Sequence, residues 1–172
     1  VAMFEIQARN KGLGFRFEQQ GELPGRVRAD QRRLRQILIK ILGNAVKFTQ
    51  RGQVVFRLRY QREIAQFEIE DTGPGIPREE LATIFEPFSR GSAASIGATG
   101  GTGLGLTIAN MLTNLMGGEL NVTSPVMAGG SGCLFRIRLY LPHLHGAQAE
   151  PERPAAPRIG YVGVRRDRKS VV

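Results

Sequence analysis

The chain has 172 residues, enough for one domain with tails and ample to bury a core. Its apolar content of 41% and charged content of 23% are ordinary for a soluble globular protein, while its single cysteine excludes an internal disulfide framework and fits a reducing compartment. The net charge of +9 suits nucleic acid, acidic lipid or an anionic small ligand, but few aromatic residues are interleaved with the basic ones, which argues against nucleic-acid binding.

Neither a leader peptide nor a membrane span is visible in the sequence. The first residues lack a basic segment followed by an apolar run. Residues 91–118 carry no charge, but they contain too much glycine, serine, threonine and asparagine for a span of about 20 apolar residues. We therefore expect a soluble chain.

The first half of the chain predicts a long helix among several strands. The predicted elements are the end of a helix at 4–11 that Gly12 stops, a half-buried strand at 13–19, a helix at 30–49 and a hairpin of strands at 53–60 and 64–70. Asp30 is the expected N-cap of the long helix and Gly52 marks its end. Its expected buried face consists of Leu34, Ile37, Leu38, Ile41, Leu42, Ala45 and Phe48.

The opposite side of this helix carries no carboxylate. Arg33, Lys40, Asn44 and Lys47 fall at i, i+7, i+11 and i+14 and therefore share one stripe. A neutral amide with cations one turn to either side suits a polyphosphate and its bound metal, and the alternative is a solvated basic face. The helix alone does not decide between the two.

The second half predicts two more helices and two strands. The predicted elements are a helix at 78–85 behind Pro77, a glycine-rich loop at 89–103, a helix at 104–116, and strands at 119–123 and 133–141 joined by a glycine-rich turn at 128–132. The expected buried face of the last helix consists of Leu104, Ile108, Met111, Leu112 and Leu115. Residues 143–157 are rich in Pro, Ala and Glu, which predicts a disordered linker.

Three further motifs carry chemical meaning. The first, Asp71 to Ile76, directly follows a predicted strand. A carboxylate there can accept a hydrogen bond from an exocyclic amine, and the glycines let a flat ring approach the backbone. The alternative is a simple turn capped by the Asp side chain. Gly100 to Gly105 opens the last helix as an anion site, although Ile108 breaks the dinucleotide-binding fingerprint and a flexible linker is the alternative. Phe85 and Phe88 flank a proline and form an apolar lid hinge or simple core contacts.

Taken in chain order, these motifs resemble the boxes of the ATP-binding catalytic domain of two-component sensor histidine kinases. The helix from Asn44 to Thr49 resembles the N box, and Asp71 to Ile76 resembles the G1 box. Phe85 to Phe88 resembles the F box, and Gly100 to Gly105 resembles the G2 box. The resemblance covers about residues 13–142 and implies an α/β fold, a two-layer sandwich of a mixed, mainly antiparallel sheet with three helices on one face. It further implies ATP and Mg²⁺ as cofactors, with the nucleotide under a lid.

The resemblance also implies site residues. Asp71 would accept from the adenine amino group with help from Gly73, Gly75 and Thr107, and Ile76 would also contact the nucleotide. Asn44 would bind Mg²⁺ or the phosphates and, with Lys40, serve catalysis. The expected phosphate, nucleotide and lid-hinge contacts are Lys47, Phe48, Phe85, Phe88, Gly101, Thr102, Gly103, Leu104 and Gly105.

Lys40 departs from the family pattern, because the N box usually has Asn at this position. A cation repels Mg²⁺ and attracts phosphate, so Lys40 either replaces the charge of the metal or excludes the metal. The alternative function is therefore a degenerate nucleotide-binding or docking module with weak or no phosphotransfer. A smaller departure is Cys133 where the family often has Thr, which we interpret as packing.

The resemblance places the phosphoacceptor histidine on a dimerising helix upstream, whereas the two histidines of this chain, His143 and His145, have no helical hairpin around them. We expect a cytoplasmic, monomeric fragment that is inactive in cis, with 1–12 as the remnant connection and a separate dimerisation domain as partner. The basic tail within 143–172 resembles a linker and the start of a receiver domain, as in hybrid kinases, and the alternative is an arbitrary tail.

Overall fold

The computed structural model describes residues 1–89, 103–127 and 130–144, which form three helices and five strands. They are, in chain order, α1 (Ala2–Asn10), β1 (Gly14–Gln20), α2 (Gln31–Phe48), β2 (Gln53–Gln61), β3 (Ile64–Asp71), α3 (Gly105–Leu115), β4 (Glu119–Thr123) and β5 (Cys133–Tyr140). The strands form one sheet in the order β1-β2-β3-β5-β4, in which β1 and β2 are parallel and the other pairs antiparallel. The predicted mixed, mainly antiparallel sheet is confirmed.

The two faces of the sheet differ in polarity. On the outer face Arg57 donates to Glu18 at 2.9 Å and to Glu70 at 2.6 Å, and Arg136 donates to Glu68 at 2.8 Å. The inner face belongs to one apolar core that also takes residues from each helix, including Phe4, Ala8, Ile37, Ile41, Ala109, Phe67, Ile69, Phe135 and Ile137. All three helices therefore cover the same face, and the molecule is the predicted two-layer α/β sandwich.

The long predicted helix is α2, and its local signals act as expected. The Asp30 carboxylate accepts a hydrogen bond from Arg33 N at 3.0 Å and so caps the first turn. At the other end, Lys11 Nζ from the α1 connection donates to Val46 O at 2.9 Å and to Lys47 O at 2.6 Å. A cation on these carbonyls stabilises the negative end of the helix dipole. The last turn of α2, which carries Asn44 and Lys47, is thereby held in place.

The predicted helix at 78–85 is wrong. This stretch forms successive turns, in which Glu80 N bonds Pro77 O, Thr83 N bonds Glu80 O and Glu86 N bonds Thr83 O. Only nine residues lie between Pro77 and Pro87, and Pro87 disfavours the helical conformation at the residue before it.

The buried face predicted for the last helix is partly wrong. In α3 the side chains of Met111 and Leu115 are 59% and 64% exposed, whereas Thr107, Ala109 and Thr113 are buried. Thr113 is tolerated in the core because its hydroxyl donates to the Ala109 carbonyl at 2.8 Å. α3 is apolar on more than one side, and the packing of its small residues against α2 selects the side that is buried.

Candidate functional site

A buried carboxylate lies at the end of β3. Asp71 is 5% exposed, and its Oδ1 accepts from Gly73 N at 2.8 Å. Burial raises the pKa of Asp71 to about 6, against the opposing effect of the N–H groups of Gly73 and Cys133 and with a small addition from Glu70. At neutral pH the group is therefore an ionised hydrogen-bond acceptor that water hardly reaches.

The loop after Asp71 is fastened on one side to the start of β2. Thr72 Oγ1 accepts from Gln53 N at 3.0 Å and donates to Arg51 O at 3.1 Å. Gly52 has a φ of +105° and packs directly on the Thr72 side chain, which leaves no room for a Cβ atom. The predicted glycine-rich turn is thus anchored by its own second residue.

On its other side the loop is fastened by Ser124, which the sequence analysis missed. Ser124 Oγ accepts from Ile76 N at 2.8 Å and donates to Gly132 O at 2.9 Å, and Gly132 N bonds Gly73 O at 2.8 Å. Gly75, at a φ of +81°, comes so close that a Cβ atom there would lie 3.0 Å from Ser124 Oγ. No local pattern marks Ser124 as a partner of Ile76, because the two residues are 48 positions apart in the chain.

Thr49 is a second residue that the sequence analysis missed. Its side chain is 0% exposed, and Oγ1 has no hydrogen-bond partner within the described ranges. A Cβ atom built on Gly73 would lie 2.8 Å from Asp71 Oδ1 and 3.4 Å from Thr49 Oγ1. The unsatisfied hydroxyl therefore borders the same glycine as the buried carboxylate.

The polar stripe of α2 meets the beginning of α3. A Cβ atom on Gly105 would lie 3.9 Å from Asn44 Nδ2 and 4.0 Å from Lys40 Cδ. The N-terminal end of α3, which is the positive end of its helix dipole, therefore lies beside Asn44 and Lys40. This combination of donors and positive charge favours anionic oxygens.

The remaining members of the stripe differ in position. Lys47 Nζ lies 5.1 Å from the centroid of the Phe48 ring, in a cation–π contact that holds both side chains at the last turn of α2. Arg33 lies three turns earlier, about 16 Å along the helix axis from Asn44. It forms an ion pair with Asp30 at 3.2 Å, so the structure does not bring it to the site.

The two ends of the glycine-rich loop are joined at its base. Gly103, at a φ of +71°, packs on the Phe88 backbone, since a Cβ atom there would lie 3.0 Å from Phe88 Cα. Thr107 Oγ1 donates to Glu86 O at 3.0 Å, whereas a Thr107 contact with the nucleotide stays a prediction. Phe85 packs against the core, while Phe88 is 73% exposed.

Some predictions concern residues that the structure does not describe. Gly101, Thr102 and His145 lie outside the described ranges, as do the predicted linker and receiver segment. In the part of the chain that is described, no group of three His, Cys, Asp or Glu side chains could hold a metal ion. None of the helices in these ranges has the length and apolar character of a membrane span.

Comparison with known proteins gives one consistent result. Residues 29–143 match the family described as histidine kinase-, DNA gyrase B-, and HSP90-like ATPase. The aerobic respiration control sensor protein ArcB of Escherichia coli strain K12 is 42% identical over 139 residues, which are 80% of this chain and 18% of ArcB.

Two solved structures are similar in fold and sequence. Full-length ShkA in complex with AMPPNP has a TM-score of 0.71 at 33% identity, over 83% of this chain and 28% of that one. The mycobacterial sensor histidine kinase MprB has a TM-score of 0.69 at 30% identity, over 83% of this chain and 93% of that one. This chain thus spans less than a fifth of ArcB and nearly all of the MprB structure.

Proposed function

The chain belongs to the histidine kinase-, DNA gyrase B-, and HSP90-like ATPase family, and we propose that residues 13–142 are the ATP-binding catalytic domain of a sensor histidine kinase. In two-component signalling it would transfer the γ-phosphoryl group of ATP to a histidine on a dimerisation domain. The similarity to ArcB and MprB supports the kinase class, and the AMPPNP bound to ShkA supports ATP as the nucleotide.

The observation that carries this proposal is the meeting of Asn44 and Lys40 with the N-terminus of α3 at Gly105. Because the buried Asp71 carboxylate can accept from the adenine amino group, the site offers one end for a base and another for phosphates. Phosphoryl transfer demands mainly positioning and charge neutralisation, which fixed donors and cations supply.

Each site residue has a role in this proposal. Asp71 takes the adenine amino group, and Phe48 lies against the nucleotide. The phosphates bind Lys47, Asn44 and the backbone of the glycine-rich loop up to Gly105. The other proposed contacts are Lys40, Gly73, Gly75, Ile76, Phe85, Phe88, Gly101, Thr102, Gly103, Leu104 and Thr107.

Mg²⁺ fits this site only when it binds together with the nucleotide. The described residues provide no acidic cluster, so the Asn44 amide oxygen would be one ligand beside phosphate oxygens and water, a set that Mg²⁺ accepts. The ion would neutralise phosphate charge. The proposed partners are a histidine-bearing dimerisation domain and a receiver domain of the same or a partner kinase, with a cytoplasmic location and a monomeric state for this chain.

Lys40 supports a second candidate function. Its side chain is half-buried and lies beside Asn44 at the start of α3, where it would compete with a metal for the phosphates. The alternative is a nucleotide-binding or docking module that transfers phosphate weakly or not at all. Turnover and metal dependence separate the two functions, since nucleotide binding is common to both.

The test is a calorimetric titration of ATP into the chain with Mg²⁺ and then with EDTA. We expect binding that Asn44→Ala weakens and that the control Asn114→Ala, on the exposed side of α3, leaves unchanged. Absence of ATP binding under both conditions would refute the proposed function.

Phosphotransfer to a supplied dimerisation domain then distinguishes kinase from degenerate module. If Lys40 takes the place of the metal, Lys40→Asn should increase both turnover and dependence on Mg²⁺. Unchanged turnover and metal dependence in Lys40→Asn would rule out this role for Lys40.

A further inference from the structure

Helix α1 contacts the C-terminal part of α2 at two places. Lys11, the residue that follows α1, donates from Nζ to Val46 O at 2.9 Å and to Lys47 O at 2.6 Å. Nearer the start of α1, the buried Phe4 ring reaches α2 beside Gly43, since a Cβ atom built on that glycine would lie 3.9 Å from Phe4 Cε1. The two contacts flank the turn of α2 that carries the proposed phosphate ligands.

This turn, residues 44–47, is held by the apolar core on one side only. Ala45 and Val46 belong to the core. Asn44 and Lys47 are half-buried and lie on the polar stripe, so the packing of the core does not by itself fix their side of the helix. The contacts from α1 therefore supply a restraint on this turn that the core does not.

Lys11 acts on the turn through both its hydrogen bonds and its charge. The last carbonyl groups of a helix have no partner within it, and Lys11 Nζ takes two of them at the end of α2. Its positive charge also offsets the negative end of the helix dipole, which repels an anion bound to the same turn. Both effects favour a phosphate group at this end of the site.

We propose that Lys11 is a positioning residue for the phosphate end of the nucleotide site, an inference that rests on the proposed function. Lys11 acts through the carbonyls of Val46 and Lys47, and it holds the turn in the conformation in which Asn44 and Lys47 meet the phosphates. Ligand groups that are ordered before binding add affinity because less freedom is lost in the complex. Since Lys11 directly follows α1, the position of α1 is thereby coupled to phosphate affinity.

The opposite end of the site has its own supports. Asp71 ends β3, and the loop that follows it is fastened by Thr72 to the start of β2 and by Ser124 to Gly132. None of these contacts involves Lys11. Loss of the Lys11 side chain should therefore weaken the binding of phosphates and leave the binding of an uncharged nucleoside unchanged.

The experiment compares ATP with adenosine in NMR titrations, at a temperature at which every variant is fully folded. We expect Lys11→Met to bind ATP about fivefold more weakly than wild type, the usual effect of one net hydrogen bond, and to bind adenosine with wild-type affinity. Lys11→Arg keeps the charge and the donors, so it should retain most of the affinity for ATP. Because all variants are folded at this temperature, a loss of stability alone would leave the affinity for ATP unchanged.

Arg9→Met is the matched control. It removes one positive charge from the same helix, but the Arg9 side chain is 77% exposed and pairs with Glu5 at 3.5 Å. We expect this variant to bind ATP and adenosine as the wild type does.

Each result has a distinct meaning. If the wild-type chain does not bind ATP, the proposed function itself fails. If the wild type binds ATP and Lys11→Met binds it equally well, or loses affinity for ATP and adenosine alike, this inference alone is overturned. An equal loss of ATP affinity in Arg9→Met would also overturn it, because net charge would then account for the effect.

Discussion

The pKa of Asp71 couples the stability of the fold to its proposed use. Burial raises this pKa from 3.8 to about 6, a difference of about 2 units or about 3 kcal/mol between the protonated and ionised forms. The folded chain keeps the proton up to about pH 6, whereas the unfolded chain releases it near pH 3.8. Because the folded state binds more protons in this window, the unfolding free energy should fall as pH rises through it.

The Asp71→Asn substitution removes this titration. Relative to wild type, the unfolding free energy of the variant should increase by about 3 kcal/mol between about pH 4 and pH 7. If the variant also loses a hydrogen bond to the neighbouring N–H groups, its unfolding free energy is lowered by the same amount at every pH. The pH-dependent increase relative to wild type is then unaffected. Urea unfolding at several pH values measures it, and the same substitution at the exposed Asp30 is the control.

The affinity for ATP should change with pH in the opposite direction to the unfolding free energy. Protonated Asp71 loses its strong acceptor, so the affinity of the wild type for ATP should decrease as pH falls through about 6. Asp71→Asn should weaken ATP binding about 30-fold or more, equivalent to about 2 kcal/mol, because its amide N–H would face the adenine amino group. A stability difference that is equal at both ends of the pH range would refute the reasoning, as would an unweakened affinity for ATP.

Three further substitutions test the contacts that hold the site. Ser124→Ala leaves Ile76 N and a buried carbonyl without partners, so the unfolding free energy in urea should fall by about 2 kcal/mol and ATP affinity should decrease with it. Lys11→Met keeps an apolar stem but removes the two hydrogen bonds to the end of α2, and should lower the unfolding free energy by about 1 kcal/mol, whereas Arg9→Met, on the exposed side of α1, should not. Gly103→Ala introduces a Cβ atom at a φ of +71° against backbone, and thermal unfolding should show a loss of about 1–3 kcal/mol; an unchanged melting temperature would contradict the close contact at the loop base.

Much of the site could be predicted because its signals are local. The limits of α2 follow from the Asp30 cap and from apolar residues at helical spacing. The same helical period places Lys40, Asn44 and Lys47 on one polar stripe. Asp71 at a strand end followed by glycines marked the carboxylate that we propose for the base end of the site. In each case the residues that make the pattern lie within a few positions of one another, so the chain itself sets their relative orientation.

Other features depend on partners that are distant in the chain. The turn between β2 and β3 uses Arg62 and Glu63 at φ values of 50° and 63°, and Glu63 is held there by Tyr140 OH at 2.8 Å and His143 N at 3.1 Å. The choice of buried face on α3 likewise depends on its packing against α2, because both sides of that helix are apolar.

The sequence by itself determined the order and type of most elements, the polar stripe and the glycine-rich turns, since these depend on periodicity and backbone freedom. The tertiary structure alone decided that Thr49 lies against Gly73 beside Asp71, and that Ser124 ties the loop to the far edge of the sheet. The physical reason is that a hydroxyl side chain can occur in a turn, at a helix end or in a core, so its position in the sequence does not reveal its environment. Only the groups that fold around it determine whether its hydrogen bonds are satisfied or left open for a ligand.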